Sequence, residues 1–366
     1  MTAHNAKNER IKRRYFAFLK EAKRHNEATV DATAMALARF EAHGRFRDFK
    51  TFHYEQAIAF KNKLAEQTSR RTGERLSKAT SHATLGHLKR FFVWLAGQPG
   101  YRSLRYSDAE YFNLSDKDTR VATARREKSC PTLEQVKHVI SAMPHRSEVE
   151  KRNRALVAFT LLTGARDSAI ASLKLKHIDL TSDRVDQDAR EVNTKNSKTF
   201  ATYFFPVGDN IREIVVDWIS YLVEQKLWGP DDPLFPATHT VVGASHLFQV
   251  IGIKREHWRT ASPIRAIFRQ AFEGVGLPYF NPHSLRKTLV TLGQTRCKTP
   301  EAFKAWSQNI GHENVMTTFT SYGAVQASRQ AEIIRDLSNP TDSHVPLAQE
   351  IIAGVVRELR GFNSRS

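Results

Sequence analysis

Apolar residues recur at helical spacing along most of the first hundred residues of the chain. The clearest stretch ends at Gly97 and carries apolar side chains three or four positions apart, at Leu85, Leu88, Phe91, Phe92 and Leu95. This period predicts an amphipathic helix that buries one stripe of side chains. Three earlier stretches, beginning near residues 11, 30 and 57, show the same period. The first part of the chain therefore predicts four helices.

Helical spacing returns after Pro131, where Thr132 and Gln135 have the spacing of a capping box. A further helix is predicted to end at Gly164. Residues 177–207 differ, because three short runs favour strands and a polar turn follows the second of them. The runs are His177–Leu180, Arg190–Asn193 and Ala201–Val207, and the turn is Thr194–Lys198. We expect a small antiparallel sheet within a helical domain.

These patterns predict a mainly α protein with four segments. A helical N-terminal domain spans residues 1–120, and a linker spans 121–130. An α-rich domain with a small antiparallel β-sheet spans 131–340, and a tail helix lies within 341–366, beyond Asn339-Pro340.

Charge narrows the range of partners. The net charge is +18, and residues 1–130 hold 27 Lys and Arg against 14 Asp and Glu. Such an excess in one part of the chain favours a polyanion, and we expect double-stranded DNA. We expect no membrane partner, because no apolar run is long enough to span a bilayer and the N-terminus is polar and basic. The two cysteines predict free thiols in a reducing cytoplasm.

Polar and basic residues of the fourth predicted helix and of the linker are the candidate DNA contacts. On a helix that buries Leu and Phe, the opposite face can meet the phosphate backbone. For any single residue, a merely solvated position is the alternative. The candidates are Lys78, His82, Thr84, His87, Lys89, Arg90, Arg125 and Arg126.

Groups suited to phosphodiester chemistry are concentrated near the end of the second domain. Arg286 lies three positions after His283, and His312 and Tyr322 follow within about forty residues. Arginine offers a rigid donor fork to the non-bridging oxygens, and proton donors can assist the leaving alkoxide. A tyrosine nucleophile conserves the bond energy in a covalent phosphoprotein. This set indicates an enzyme that breaks and rejoins DNA.

The chain resembles the tyrosine recombinase, or phage integrase, family over roughly residues 10–340. Leu162-Thr163-Gly164-Ala165-Arg166 resembles the family's TG-x-R, and His283-Ser284-Leu285-Arg286 resembles its HxxR. Gly311-His312 resembles its GH, Tyr322 stands where the nucleophile is expected, and Ser197-Lys198 before Pro206 resembles the hairpin lysine. The resemblance implies a core-binding domain over residues 1–120 and a catalytic domain over 131–340.

The resemblance also implies roles. Tyr322 would attack the scissile phosphate and become 3′-linked, while Arg166 and Arg286 would stabilise the transition state. Lys198 would protonate the leaving 5′ oxygen. His283 would accept the proton of Tyr322 or donate to the phosphate, and His312 would hydrogen-bond the phosphate. No metal or other cofactor is implied.

Three points stay open on sequence alone. Lys195 lies in the same turn as Lys198, and Tyr203 and Tyr279 are rival tyrosines. Ala169 stands where the family commonly has an acidic residue, although Asp167 is near. Tyr322 lies ten residues after His312, one more than in many members.

The preferred function is a site-specific recombinase or integrase of a mobile element, acting as a homotetramer on DNA and free as a monomer, in a prokaryotic cytoplasm. One alternative is relaxation of DNA by a type IB topoisomerase. The other is a sequence-specific DNA-binding protein without activity.

Overall fold

The protein is described by a computed structural model that covers residues 4–69, 73–124, 129–242 and 247–312. The chain divides into two compact units between residues 125 and 126, inside the predicted linker. The mainly α prediction is confirmed. The predicted tail helix lies outside the described residues.

The first unit contains five α-helices among its described residues. They are α1 (Ala6–Ala17), α2 (Glu27–His43), α3 (Tyr54–Glu66), α4 (Lys78–Ala96) and α5 (Asp116–Thr123). Side chains of Asn26 and Ser77 accept hydrogen bonds from the first turns of α2 and α4 and fix where those helices begin. Packed aromatic rings hold the core together, and they include Phe40, Phe52, Phe92 and Phe112.

The second unit is built on α7 (Glu148–Thr163), whose last ten residues are nearly all buried. The other described helices are α6 (Leu133–Ala142), α8 (Asp167–Ile170), α9 (Asp209–Ser220), α10 (Ser262–Glu273), α11 (Pro282–Arg296) and α12 (Pro300–Asn309). Apolar side chains from these helices form one continuous core. The capping box predicted at Thr132 and Gln135 is present at the start of α6.

The sheet prediction was right in kind and partly wrong in position. Strands β1 (Ile178–Asp179), β2 (Arg184–Gln187) and β3 (Phe200–Tyr203) form an antiparallel sheet in the order β1-β2-β3. The predicted strand Arg190–Asn193 is wrong. There, the carboxylate of Asp188 accepts from the backbone N–H of Arg190, and this local hydrogen bond favours a turn over a ladder.

A second antiparallel pair was missed by the sequence analysis. It consists of β4 (Thr238–Val242) and β5 (Phe248–Ile253), with a register irregularity between His239 and Thr240. Apolar and polar residues do not alternate regularly in either strand, and most of the apolar side chains are exposed. The pattern that marks a half-buried strand is therefore absent.

Candidate active site

The turn after α7 positions Arg166. The helix ends at Gly164, whose φ of +59° lies in the left-handed region. A Cβ at Gly164 would also come within 3.0 Å of Leu289 Cδ1. The N–H of Ala165 donates to Thr163 Oγ1 at 3.1 Å, which closes the turn. Arg166 is the N-cap residue of the short helix α8. Its side chain is half-buried, and burial lowers its pKa.

Arg286 lies on α11 with only 4% of its surface exposed. Its Nη1 donates to the carbonyl of Gly164 and its Nη2 to that of Ile310, both at 2.6 Å. Its Nε is buried without a hydrogen-bond partner among the described residues. Burial, and secondly the positive charge of Arg166, lower the pKa of Arg286 to about 9, so it stays protonated at neutral pH.

The two guanidinium groups form a cationic centre. In the described part of the chain, no carboxylate forms an ion pair with Arg166 or Arg286. Each charge is partly desolvated, and the two repel one another. A bound anion would relieve both costs, because desolvated cations interact strongly with an anion that bears several acceptor oxygens. The site therefore favours an oxyanion such as a phosphodiester.

Two imidazoles face this centre. His283 is the second residue of α11, after the Asn281 cap and Pro282, and it keeps an exposed edge. His312 follows Gly311, and the backbone N–H of His312 donates to the carbonyl of Ser307 at 3.1 Å. Burial, followed by the charges of Arg286 and Arg166, lowers the pKa of both imidazoles, that of His312 to about 4. Both are therefore neutral at pH 7, and a neutral imidazole carries one donor and one acceptor nitrogen.

The two lysines of the predicted turn have different surroundings. Lys195 opens a short helical turn with an exposed side chain, and its charge contributes to lowering the pKa of both His283 and His312. Lys198 is half-buried and has an interaction of its own. Sequence context favours Lys198, while the charge that acts on both imidazoles here is that of Lys195.

Asn309 ties the lysine-bearing sheet to the segment that carries His312. Its side chain donates from Nδ2 to the carbonyl of Tyr203 at 2.8 Å and accepts from the N–H of Tyr203 at 2.7 Å. Its own carbonyl accepts from Thr202 Oγ1 at 3.1 Å. The carboxamide thus pairs with β3 as a neighbouring strand would. Sequence reasoning missed this residue, although it stands two positions before Gly311-His312.

Replacing Asn309 by alanine should lower the rate of covalent DNA cleavage by about tenfold to a hundredfold, since three hydrogen bonds that hold β3 are lost or weakened. Single-turnover cleavage would measure this. Asn153→Ala, on α7 of the same unit, serves as a control for general destabilisation. A rate for Asn309→Ala equal to that of Asn153→Ala would contradict a positioning role.

Asp167 is the acidic residue beside Arg166, and it pairs with another arginine. Ala169 is buried, with 1% exposed. Asp167 Oδ2 instead accepts from Arg265 Nε at 2.7 Å, and the charge of Asp167 acts to raise the pKa of His283 against the larger lowering effects. Asp167 therefore offsets part of the positive field at that imidazole.

The rival tyrosines have other surroundings. Tyr203 is exposed, and its backbone is held by Asn309. The Tyr279 ring lies 4.2 Å from the Arg269 guanidinium, a cation–π contact. Tyr322, the predicted nucleophile, lies outside the described residues.

The candidate DNA contacts of the first unit lie in varied surroundings. His82 and Arg90 are exposed, and Lys78 pairs with Asp118 at 3.0 Å near the start of α4. Lys89 pairs with Glu110 at 2.7 Å, and His87 Nδ1 lies 2.8 Å from Thr33 Oγ1. Exposed ion pairs of this kind are weak and can exchange for phosphate contacts.

Thr84 differs from the other candidates. It is buried, and its hydroxyl donates to the carbonyl of Thr80 at 2.9 Å. This placement argues against a direct DNA contact, because α4 turns this position toward the core. Arg125 and Arg126 lie outside the described residues.

Among the described residues, no group of three or more His, Cys, Asp or Glu side chains is arranged to hold a metal ion. No helix in the described ranges combines the length and apolar content needed to cross a membrane.

Comparison with known proteins gives one family match and several structural matches. The model of the Phage integrase family matches residues 132–329. No curated protein gives a match. Structures of low sequence identity share the fold. Lambda integrase (75–356), solved as a dimer bound to a core site, has 12% identity and a TM-score of 0.59, covering 87% of this chain and 96% of that one.

Two further structures have similar scores. XerH site-specific recombinase, bound to a palindromic difH substrate, has 18% identity and a TM-score of 0.56, covering 90% of this chain and 85% of that one. The Tn1549 transposon integrase, in complex with circular intermediate DNA, has 16% identity and a TM-score of 0.52, covering 88% of this chain and 98% of that one.

Proposed function

The chain belongs to the phage integrase family and is a tyrosine-type site-specific DNA recombinase, and from this premise we propose which residues carry each step. The observation that carries the assignment is the pair of partly desolvated guanidinium groups of Arg166 and Arg286, with neutral His283 and His312 beside them. This centre suits a phosphodiester and its transition state.

The reaction begins with attack by Tyr322 Oη on the scissile phosphorus. A bond forms between that oxygen and phosphorus, and the bond from phosphorus to the 5′ oxygen breaks. Arg166 and Arg286 stabilise the charge on the non-bridging oxygens, and His312 donates a hydrogen bond to one of them. Neutral His283 carries an acceptor nitrogen and takes the phenol proton.

The leaving 5′ oxygen needs a proton, and Lys195 is the proposed donor. Its charge reaches both imidazoles, which supports its position at the same phosphate. Lys198, the residue favoured by sequence context, is the alternative. Religation reverses these steps, with a 5′ hydroxyl from another strand attacking the phosphotyrosine.

The partner is double-stranded DNA. Exposed His82 and Arg90, and Lys78 and Lys89 after release from their ion pairs, are proposed to contact the backbone. His87 is proposed to orient Arg90, since Arg90 Nη2 lies 3.2 Å from its Nδ1. Exchange of two strands between two duplexes takes four cleavages, and we propose a homotetramer on DNA.

The nucleophile can be tested with a nicked suicide substrate carrying the protein's mapped core site. The wild-type protein should form a covalent protein–DNA adduct, and Tyr322→Phe should bind the DNA equally well but form none. Tyr279→Phe and Tyr203→Phe are matched controls that should keep the adduct. A wild-type adduct that survives in Tyr322→Phe would reject this nucleophile, and a lack of adduct in the wild type would reject the catalytic proposal.

A further inference from the structure

The pair of strands β4 and β5, named here the apolar hairpin, presents large apolar side chains to solvent. Val242 is 61% exposed, Phe248 78% and Val250 59%. Val242 pairs with Phe248, and Thr240 pairs with Val250, so all four side chains share one face of the ribbon. Leu247, the residue before Phe248, is 69% exposed. Contiguous apolar surface of this kind commonly marks an interaction site.

The hairpin is held firmly at its base. Arg152 of α7 is 2% exposed, and its Nη1 donates to the carbonyl of Pro236 at 2.9 Å and to Thr238 Oγ1 at 3.0 Å. Its guanidinium also lies 4.9 Å from the Trp258 ring. The exposed face is therefore fixed to the helix that leads into Arg166, which lowers the entropy lost when a partner binds.

Charge limits what this partner can be. From Pro236 to Ile253 the sequence contains no Asp, Glu, Lys or Arg, although the chain holds 56 Lys and Arg. Surfaces that bind DNA use Lys and Arg side chains to contact the phosphates. The hairpin is consequently unsuited to DNA and suited to an apolar protein surface.

We propose that the apolar hairpin is a contact surface between two copies of this chain. A net charge of +18 makes copies repel one another, and a surface without charged residues adds nothing to that repulsion. A charge-free apolar face is also complementary to itself, as a two-fold interface requires. The inference rests on the proposed function, in which DNA brings copies together.

The size of the face sets the strength of the contact. Three apolar side chains on this face, with neighbouring Leu247, offer a few hundred Å² at most, below the roughly 800 Å² per partner of a stable complex. The contact is therefore weak between free molecules. It becomes effective when DNA holds two copies at high local concentration.

Sedimentation of the full-length protein without DNA, over a range of concentrations, tests the contact. The wild type should self-associate reversibly at the highest concentrations, and Phe248→Glu should weaken this by at least about tenfold, because a carboxylate would be buried in an apolar contact. Leu227→Glu is the matched control, since Leu227 is also 78% exposed but lies outside the hairpin. It should associate as the wild type does.

Disulfide trapping detects weaker contacts. In a background with Cys130→Ser and Cys297→Ser, the variants Phe248→Cys and Val250→Cys should form cross-linked dimers at least about tenfold faster than Leu227→Cys. Equal trapping rates for all three would overturn the proposal. So would a Phe248→Glu variant that loses recombination while self-associating normally, since the hairpin would then bind a different protein.

The two proposals fail in different ways. Phe248→Glu should still form the covalent adduct on a single core site, because Phe248 takes no part in the chemistry. A missing wild-type adduct rejects the catalytic assignment, whereas a normal adduct with equal trapping rates rejects only the hairpin contact.

Discussion

Replacing Arg286 by lysine should slow covalent cleavage by about a thousandfold, the upper range for loss of one preorganised donor group. Nη1 and Nη2 of the guanidinium donate to the carbonyls of Gly164 and Ile310. The buried Nε has no hydrogen-bond partner among the described residues. Lysine has one nitrogen, which cannot bind both carbonyls and a phosphate oxygen in fixed directions.

The measurement is single-turnover adduct formation at saturating protein. Because Arg286 is buried, the rate is compared at a temperature where circular dichroism shows each variant fully folded. Arg269→Lys is the control, since Arg269 is half-exposed on α10 and pairs with Glu273. A rate for Arg286→Lys within tenfold of the wild type would show that the guanidinium supports the fold and not the transition state.

Replacing Lys195 by alanine should slow cleavage of an ordinary substrate by about a hundredfold to ten thousandfold, the range for loss of a general acid. The loss should largely disappear on a substrate with sulfur in place of the leaving 5′ oxygen. A thiolate leaves without being protonated, so the missing acid no longer matters. The sulfur substitution should not restore cleavage to a variant whose defect lies in DNA binding or in folding.

Lys198→Ala is the matched control, three residues away in the same turn. It should reduce cleavage less than tenfold and show no selective recovery with sulfur. If Lys198→Ala shows the selective recovery and Lys195→Ala does not, Lys198 is the acid and the assignment based on the imidazoles is wrong.

Local patterns in the sequence were enough for the helices and for the order of the motifs. Apolar spacing identified α4, and the Thr132–Gln135 pair identified the start of α6, because helix periodicity and capping depend on residues within one or two turns. The family resemblance also needed only local motifs, such as Gly164 before Arg166 and the His283–Arg286 spacing.

Tertiary structure decided what depends on residues far apart in the chain. The Arg286 bond to Gly164 spans 122 positions and the Asn309 bonds to Tyr203 span 106, so no window of sequence reveals them. The strand at Arg184–Gln187 was likewise set by pairing with β3 and by the turn at Asp188. The sequence thus determined which reactive groups the chain possesses. Packing decided which carbonyls bind the buried guanidinium of Arg286 and which strand Asn309 holds, because these hydrogen bonds join residues that are close only in space.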